Sequence, residues 1–177
     1  MKTITLNTPL DESAIDSLRA GDKVLLNGSL LVARDQAHMR LIEMIKKGEP
    51  LPVDLQGQAV YYAGPSPTKP GEVIGSIGPT TASRMDTVSE PLFKQGLKMT
   101  IGKGVRSDGF KAMVKQYKVP YLVAMGGGGA VMQESIIEAE TVAFEDLGPE
   151  AIYRLIVRDM PLYVAYDVHE GDIYQRN

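Results

Sequence analysis

A mixed α/β fold is what three features of the chain predict. Short apolar runs rich in Val, Ile, Leu and Tyr recur between stretches of helical spacing. The helical stretches carry start and stop signals, such as Asp35 ahead of one and Gly48 behind it. Turns bearing glycine or proline separate the elements, with no internal repeat, no low-complexity tract and no linker. At 177 residues the length suits one domain, 1–177, able to bury a core without disulfides or metals.

Lys2–Leu6 alternates in the manner of a half-buried strand. Pro9 and Asp11 introduce a short helix, Glu12–Arg19, closed by Gly21. Lys23–Asn27 and Ser29–Ala33 read as two strands around Asn27-Gly28, a dipeptide suited to a tight hairpin turn. Asp35 can cap a helix running to about Lys47. Further strands are expected at Val60–Ala63, Val73–Ile77, Met99–Ile101, Tyr121–Met125 and Thr141–Phe144. Ser107 or Asp108 opens a helix to about Tyr117; Pro149 suits the first turn of another, Glu150–Val157, ahead of a closing strand Leu162–Asp167.

Composition narrows the function classes. A net charge of −3 argues against a general nucleic-acid surface, which shows as a basic excess. The stretch MKTITLNTPLDES lacks the apolar core of a secretory signal, and no apolar run is long enough to span a bilayer, so a cytoplasmic protein without a membrane role is expected. With no cysteine, thiol catalysis and any cysteine-ligated cluster within this chain are excluded. Only His38 and His169 remain as soft ligands, so no metal site of the usual His/Cys type is expected.

Candidate functional residues sit where apolar runs end. On the helix Asp35–Lys47, Ala37, Leu41, Ile42, Met44 and Ile45 share one face, with Gln36, Arg40, Glu43 and Lys47 opposite. His38 falls in the apolar sector, so it reads either as a core histidine with one satisfied hydrogen bond or as part of a site with Arg34 and Asp35 at the strand-to-helix junction. In Gly78–Asp86, Thr80 or Thr81 can cap the helical turn that follows Pro79. A turn begun at Thr80 puts Arg84 four residues on along the same face, offering an anion N–H groups and a guanidinium fork. Gly102-Lys103-Gly104 sets a lysine between glycines after a strand, either an exposed turn or a close approach to a ligand. The run Gly126–Gly129 fits neither phosphate-binding glycine pattern, and close backbone packing explains it better.

In order along the chain stand Arg34-Asp35-Gln36-Ala37-His38, Tyr62-Ala63-Gly64-Pro65, Gly75-Ser76-Ile77-Gly78-Pro79-Thr80-Thr81-Ala82-Ser83-Arg84-Met85-Asp86, Ile101-Gly102-Lys103-Gly104 and the glycine run after Val119-Pro120-Tyr121. Together they resemble the beta subunit, or C-terminal domain, of the class I iron–sulfur fumarate hydratases and the related L-tartrate dehydratases, over nearly the whole chain. Many relatives have glycine where Ser83 stands before the motif's arginine. The resemblance implies a swivelling β/β/α domain, a mixed sheet core flanked by helices. It also implies an alpha subunit that carries a 4Fe-4S cluster on three cysteines with one iron open to substrate, in a hetero-oligomer of two alpha and two beta subunits. The active site would lie between the two chains. Under that resemblance Arg34 and Arg84 hold the carboxylates of a small dicarboxylate, Lys103 joins them, Thr80 is the catalytic base, and His38 and Asp35 support these residues from behind. The expected activity is the reversible hydration of fumarate to L-malate. L-Tartrate dehydration is the alternative within the family, and a non-catalytic anion-binding or assembly module is the alternative outside it.

Overall fold

The apolar runs pair into one sheet. The computed structural model describes residues 1–124 and 129–175, of which 129–131 by backbone alone. Seven strands occur among them: β1 (Thr3–Asn7), β2 (Lys23–Val32), β3 (Ala59–Tyr61), β4 (Met99–Gly102), β5 (Tyr121–Ala124), β6 (Ile136–Ala143) and β7 (Ile152–Tyr166). The helices are α1 (Glu12–Ser17), α2 (Asp35–Lys46), α3 (Glu90–Lys94), α4 (Asp108–Tyr117) and α5 (Gly129–Glu134), with 3-10 helices at Ser83–Val88 and Glu145–Glu150. The fold is thus mixed α/β, a sheet core flanked by helices. No helix among the described residues is long and apolar enough to cross a membrane.

β1 to β5 are joined in parallel, each to the next, with α1, α2 and α4 as crossovers between β1 and β2, β2 and β3, and β4 and β5. β7 runs antiparallel to β2, β5 and β6. Because β7 takes one edge of β2 along its whole length, β1 and β3 must share the other edge, at opposite ends. The pairings therefore close on themselves, from β2 through β3, β4, β5 and β7 back to β2. Leu26, Leu30, Tyr61, Ile101, Leu122, Leu155 and Leu162 are buried along these strands.

Four expectations are corrected. Asn27-Gly28 is not a hairpin turn but a bulge inside the continuous strand β2. Gly28 does adopt the left-handed φ (+101°) that such a dipeptide signals, yet the chain continues because β7 pairs on both sides of the bulge. Asn27 reaches across to that partner: its Nδ2 donates to Asp159 Oδ1 at 3.2 Å, and Asp159 N–H donates to Asn27 Oδ1 at 3.0 Å.

The expected helix Glu150–Val157 is the first half of β7. Ile152, Leu155 and Ile156 fit a helical spacing as well as a strand, and β2 on one edge with β6 on the other decides for the strand. Pro149 lies instead in the 3-10 helix before it.

Val73–Ile77 forms no strand. Ile74 and Ile77 are buried, but the segment folds back on Ser66, whose N–H donates to Ser76 O at 2.8 Å. Gly75 lies so close to the Ser66 carbonyl that no side chain fits there.

Neither Thr80 nor Thr81 caps a helix. The 3-10 helix starts at Ser83 behind Ala82, without a side-chain cap. Two boundaries also move: α1 ends at Ser17, short of Arg19, and β6 begins at Ile136, ahead of Thr141. Met125 and Gly126–Gly128 lie outside the described residues, so the reading of the glycine run finds no comparison there.

Candidate active site

All the motifs singled out in the sequence except Gly75–Asp86 lie at or directly after the carboxyl end of a parallel strand. Arg34 follows β2, Tyr62 follows β3, Lys103 follows β4, and the glycine run follows β5. In parallel α/β sheets this end is where ligands bind, because the crossovers leave open loops and helix N-termini there.

The segment carrying Thr80 is threaded between the ends of β3 and β4. Pro79 bridges Ala63, and Thr81 bridges Lys103. Thr80 N–H and Thr80 Oγ1–H both donate to the Tyr62 carbonyl, at 2.8 and 3.0 Å. Lys103 N–H donates to the Thr80 carbonyl at 3.2 Å, and Ala82 N–H donates to the Lys103 carbonyl at 3.0 Å. Gly102 makes this approach possible: a Cβ there would stand 2.9 Å from both Ala82 Cβ and Tyr62 Cδ2. Thr80 and Lys103 are thus joined through backbone, and the Lys103 side chain is exposed with no carboxylate bound among the described residues.

Arg34 ends the extended run of β2 and stands at the N-cap of α2. Its guanidinium lies against Gly64, where a Cβ would come within 2.9 Å of Nη1. Its Nε is buried and donates to no group among the described residues. The backbone of Arg34 is held by His38, whose N–H and Nδ1 both meet the Arg34 carbonyl, at 3.0 and 2.7 Å. A carbonyl only accepts, so Nδ1 carries the proton and Nε2 is the lone-pair nitrogen. Burial lowers the His38 pKa to about 4 against the opposing pull of that hydrogen bond, and the ring is neutral at pH 7. Both readings of His38 therefore meet in one contact: a core histidine that fixes a candidate residue's backbone.

Arg84 lies on the 3-10 helix and binds Asp35, the first residue of α2. Its Nε donates to Oδ2 at 2.9 Å and its Nη2 to Oδ1 at 3.2 Å. The hydrogen bond from Arg84 holds the Asp35 carboxyl below the usual carboxylate range, and Asp35 raises Arg84 in turn. Asp35 also suits the positive end of the α2 dipole. The proposed i,i+4 relation between Thr80 and Arg84 on one helix does not hold, because the helix begins after Thr80. No side-chain hydrogen bond among the described residues links Thr80 to Arg34, Arg84 or Lys103.

Sequence reasoning missed the pair beneath these residues. Arg106, buried, donates through Nε to Asp86 Oδ1, and the other Asp86 oxygen accepts Ser107 N–H at 2.7 Å at the start of α4. The guanidinium carbon lies 3.4 Å from the ring centre of Phe110, 4.7 Å from Tyr121 and 5.2 Å from Tyr62. Asp86 stood in the quoted motif without a role. Arg106 had no signal at all, since nothing in Val105-Arg106-Ser107 separates a buried arginine from a surface one.

A cavity of about 440 Å3 lies between Pro65–Thr68, β6 and Pro149, and another of about 290 Å3 between α4 and Tyr166–Asp172; neither is lined by Arg34, Thr80, Arg84 or Lys103. No group of three His, Cys, Asp or Glu side chains among the described residues could hold a metal ion.

The family model described as "Fumarase C-terminus" matches residues 1–177. The chain belongs to that family. It is 40% identical over 172 residues to the "Putative L(+)-tartrate dehydratase subunit beta" of Methanocaldococcus jannaschii, covering 94% of this chain and 88% of that protein. It is 38% identical over 178 residues to "Fumarate hydratase 2" of Leishmania major, covering 98% of this chain but 31% of that protein. Against "L(+)-tartrate dehydratase subunit beta" of Escherichia coli the identity is 32%, over 100% of this chain and 89% of the relative. The chain thus spans about a third of the matched fumarate hydratase and nearly all of the relatives named as beta subunits.

Proposed function

We propose that the chain is the beta subunit of a class I fumarate hydratase, a single domain over 1–177 in a cytoplasmic hetero-oligomer of two alpha and two beta subunits. The observation that supports this reading is that the segments bearing Arg34, Thr80, Arg84 and Lys103 are tied together beside the ends of β2, β3 and β4, Thr81 bridging Lys103 and Arg84 binding Asp35, the neighbour of Arg34. A 4Fe-4S cluster finds no ligands here, since the chain has no cysteine and its described residues hold no metal-ligand group. In this reading the cluster belongs to the alpha subunit, and the site is completed by it.

Fumarate and malate are dianions, which gives the three cations Arg34, Arg84 and Lys103 a purpose. Dehydration of L-malate removes a proton from C3 and the hydroxyl from C2. Thr80 takes the proton, and the electron pair left on C3 delocalises into the neighbouring carboxylate. That pair becomes the double bond as the hydroxyl departs, so proton and hydroxyl together account for the water. Arg34, Arg84 and Lys103 neutralise the substrate and stabilise the extra charge of the intermediate more than the ground state. Each charge-assisted hydrogen bond contributes roughly 1.5–3 kcal/mol, so losing one costs on the order of 10–100-fold in rate. The hydroxyl of Thr80 already donates to the Tyr62 carbonyl, and its free lone pairs are the accepting sites. A proton taken up there is matched by passing the first to the departing hydroxyl, which leaves as water, and Lys103, on the segment paired with Thr80, is the cation that stabilises negative charge developing on the Thr80 oxygen.

The two relatives named as beta subunits, which this chain matches over 88% and 89% of their lengths, favour a second reading: an L-tartrate dehydratase beta subunit using the same residues. One anaerobic assay separates the two. The chain, co-purified with its cysteine-bearing partner, is followed for fumarate formation from L-malate by ultraviolet absorbance, with L-tartrate alongside. Turnover of malate by the complex and none by the chain alone is expected. Robust turnover by the isolated chain ends the shared site, and turnover of tartrate alone changes the substrate. Silence on both with an intact cluster favours the anion-binding module. In the active complex Thr80→Ala is expected to lose about 100-fold or more in kcat; retention of most activity ends its assignment as base.

A further inference from the structure

A guanidinium offers a carboxylate two edges, one made of Nε and Nη2 and the other of Nη1 and Nη2. Arg84 gives Asp35 the first: Nε to Oδ2 at 2.9 Å, Nη2 to Oδ1 at 3.2 Å. Its Nη1 has no partner among the described residues, and the side chain is 46% exposed. On α2, the helix that Asp35 opens, Arg40 does the opposite. It binds Asp146 through Nη1 and Nη2, both at 2.8 Å, and so spends the edge that Arg84 keeps.

The anchor is itself well held. Asp35 opens α2, a helix of 12 residues, directly after Arg34, whose carbonyl is tied by the His38 backbone and ring. Arg84, in contrast, rises from a short 3-10 helix on which it is exposed. An arginine there with no partner would sample many rotamers and lose that freedom on binding a ligand.

We propose that Asp35 is a positioning residue that grips Arg84 by its Nε edge and so presents the Nη1–Nη2 edge to one carboxylate of the substrate. This rests on Arg84 being a substrate ligand. Asp35 does not touch the substrate; it acts through Arg84 alone, by removing the rotamer freedom of the fork before the dicarboxylate arrives. The opposite role, a carboxylate that occupies the fork and competes with substrate, predicts the opposite sign in KM.

The test is a double-mutant cycle in the assembled enzyme, with Asp35→Asn, Arg84→Lys and both together. Asp35→Asn is expected to raise KM for the dicarboxylate about 3–10-fold with kcat nearly unchanged, the size of one side chain's ordering cost. In the Arg84→Lys background it is expected to add nothing. A lowered KM overturns the proposal in favour of a competing carboxylate. An unchanged KM, or a cost that persists without Arg84, overturns it as well. Asp146→Asn, which breaks the Arg40 pair outside the site, is the control for a surface charge change and leaves KM where it was. A second readout needs no activity: 15N NMR of the isolated full chain. The Arg84 Nε–H is expected as a resolved, exchange-protected resonance that merges with free arginines in Asp35→Asn. Its absence from the wild-type spectrum overturns the grip. Should the complex turn over neither malate nor tartrate while that resonance stands, the reading of the enzyme has failed and the grip has not.

Discussion

Arg84 and Asp86 stand two residues apart on one 3-10 helix, and each forms an ion pair with a distant segment. Arg84 meets Asp35 at the surface, with side chains 46% and 32% exposed. Asp86 meets Arg106 inside, at 8% and 0%. The exposed pair keeps one guanidinium edge open and is cheap to break. The buried pair is walled by Phe110, Tyr121 and Tyr62, ties the 3-10 helix to the start of α4, and leaves Arg106 Nη1 as a buried donor with no partner among the described residues. One short motif therefore does two kinds of work, offering a cation outward at Arg84 and fixing its own backbone inward at Asp86. Arg106 also follows Lys103 by three residues, so the buried pair holds the two cation-bearing segments at a set separation.

Breaking the buried side is the largest expected effect. Asp86→Ala leaves the Arg106 charge buried and unpaired, and is expected to cost about 3–5 kcal/mol of stability. Urea unfolding of the isolated chain measures it; a loss below about 1 kcal/mol would mean that the two pairs do not differ in kind. Asp86→Asn can keep the one hydrogen bond from Ser107 N–H and is expected to fall between the wild type and Asp86→Ala.

His38 belongs with the buried group, and its effect is read by pH. Its pKa is lowered from 6.5 to about 4, so between those values the unfolded chain binds a proton that the folded chain does not. The stability contributed by the neutral ring is whole above about pH 6.5 and is lost as the pH falls toward 4, by about 3 kcal/mol. Unfolding curves at pH 7 and pH 4.5 for the wild type and His38→Asn isolate this from the carboxylates. The variant is expected to show a shallower slope; an equal slope removes His38 as its source.

The exposed pair is the smallest of the three. Asp35→Asn is expected to cost less than about 1 kcal/mol in the same unfolding measurement, because a solvated pair gains little from its Coulomb attraction. Whatever Asp35 contributes is present above the ordinary carboxylate range and is lost as the pH drops through its lowered pKa. A large stability loss with unchanged KM would place Asp35 among the struts and erase the contrast.

The sites of the motifs were legible in the sequence because each is a local statement. A strand ending in Arg34, a helix opened at Asp35 and a lysine between Gly102 and Gly104 all follow from neighbours within a few residues. α4 is expected to open at Ser107 or Asp108, and of the two it is Ser107 that caps it, its Oγ accepting Phe110 N–H at 3.2 Å. Misreadings arose where two local solutions were equally good. Asn27-Gly28 suits a turn and a bulge alike, and Ile152-Leu155-Ile156 suits a helix and a strand alike. In both cases β7 decided, by pairing along the whole of β2.

From its order of residues alone the chain determined its alternating α/β pattern, its family motifs and the amphipathic face that buries His38, because these depend on spacing within one or two turns of backbone. Only the tertiary structure decided that β2, β3, β4, β5 and β7 close on one another, that Thr80 is threaded between β3 and β4 rather than capping a helix, and which partners the two ions of the 3-10 helix take. Those outcomes join residues 16 to more than 100 positions apart, as Ala63 to Pro79 and Asn27 to Asp159. Burial and competing backbone partners settle such contacts, and neither is carried by a short stretch of sequence.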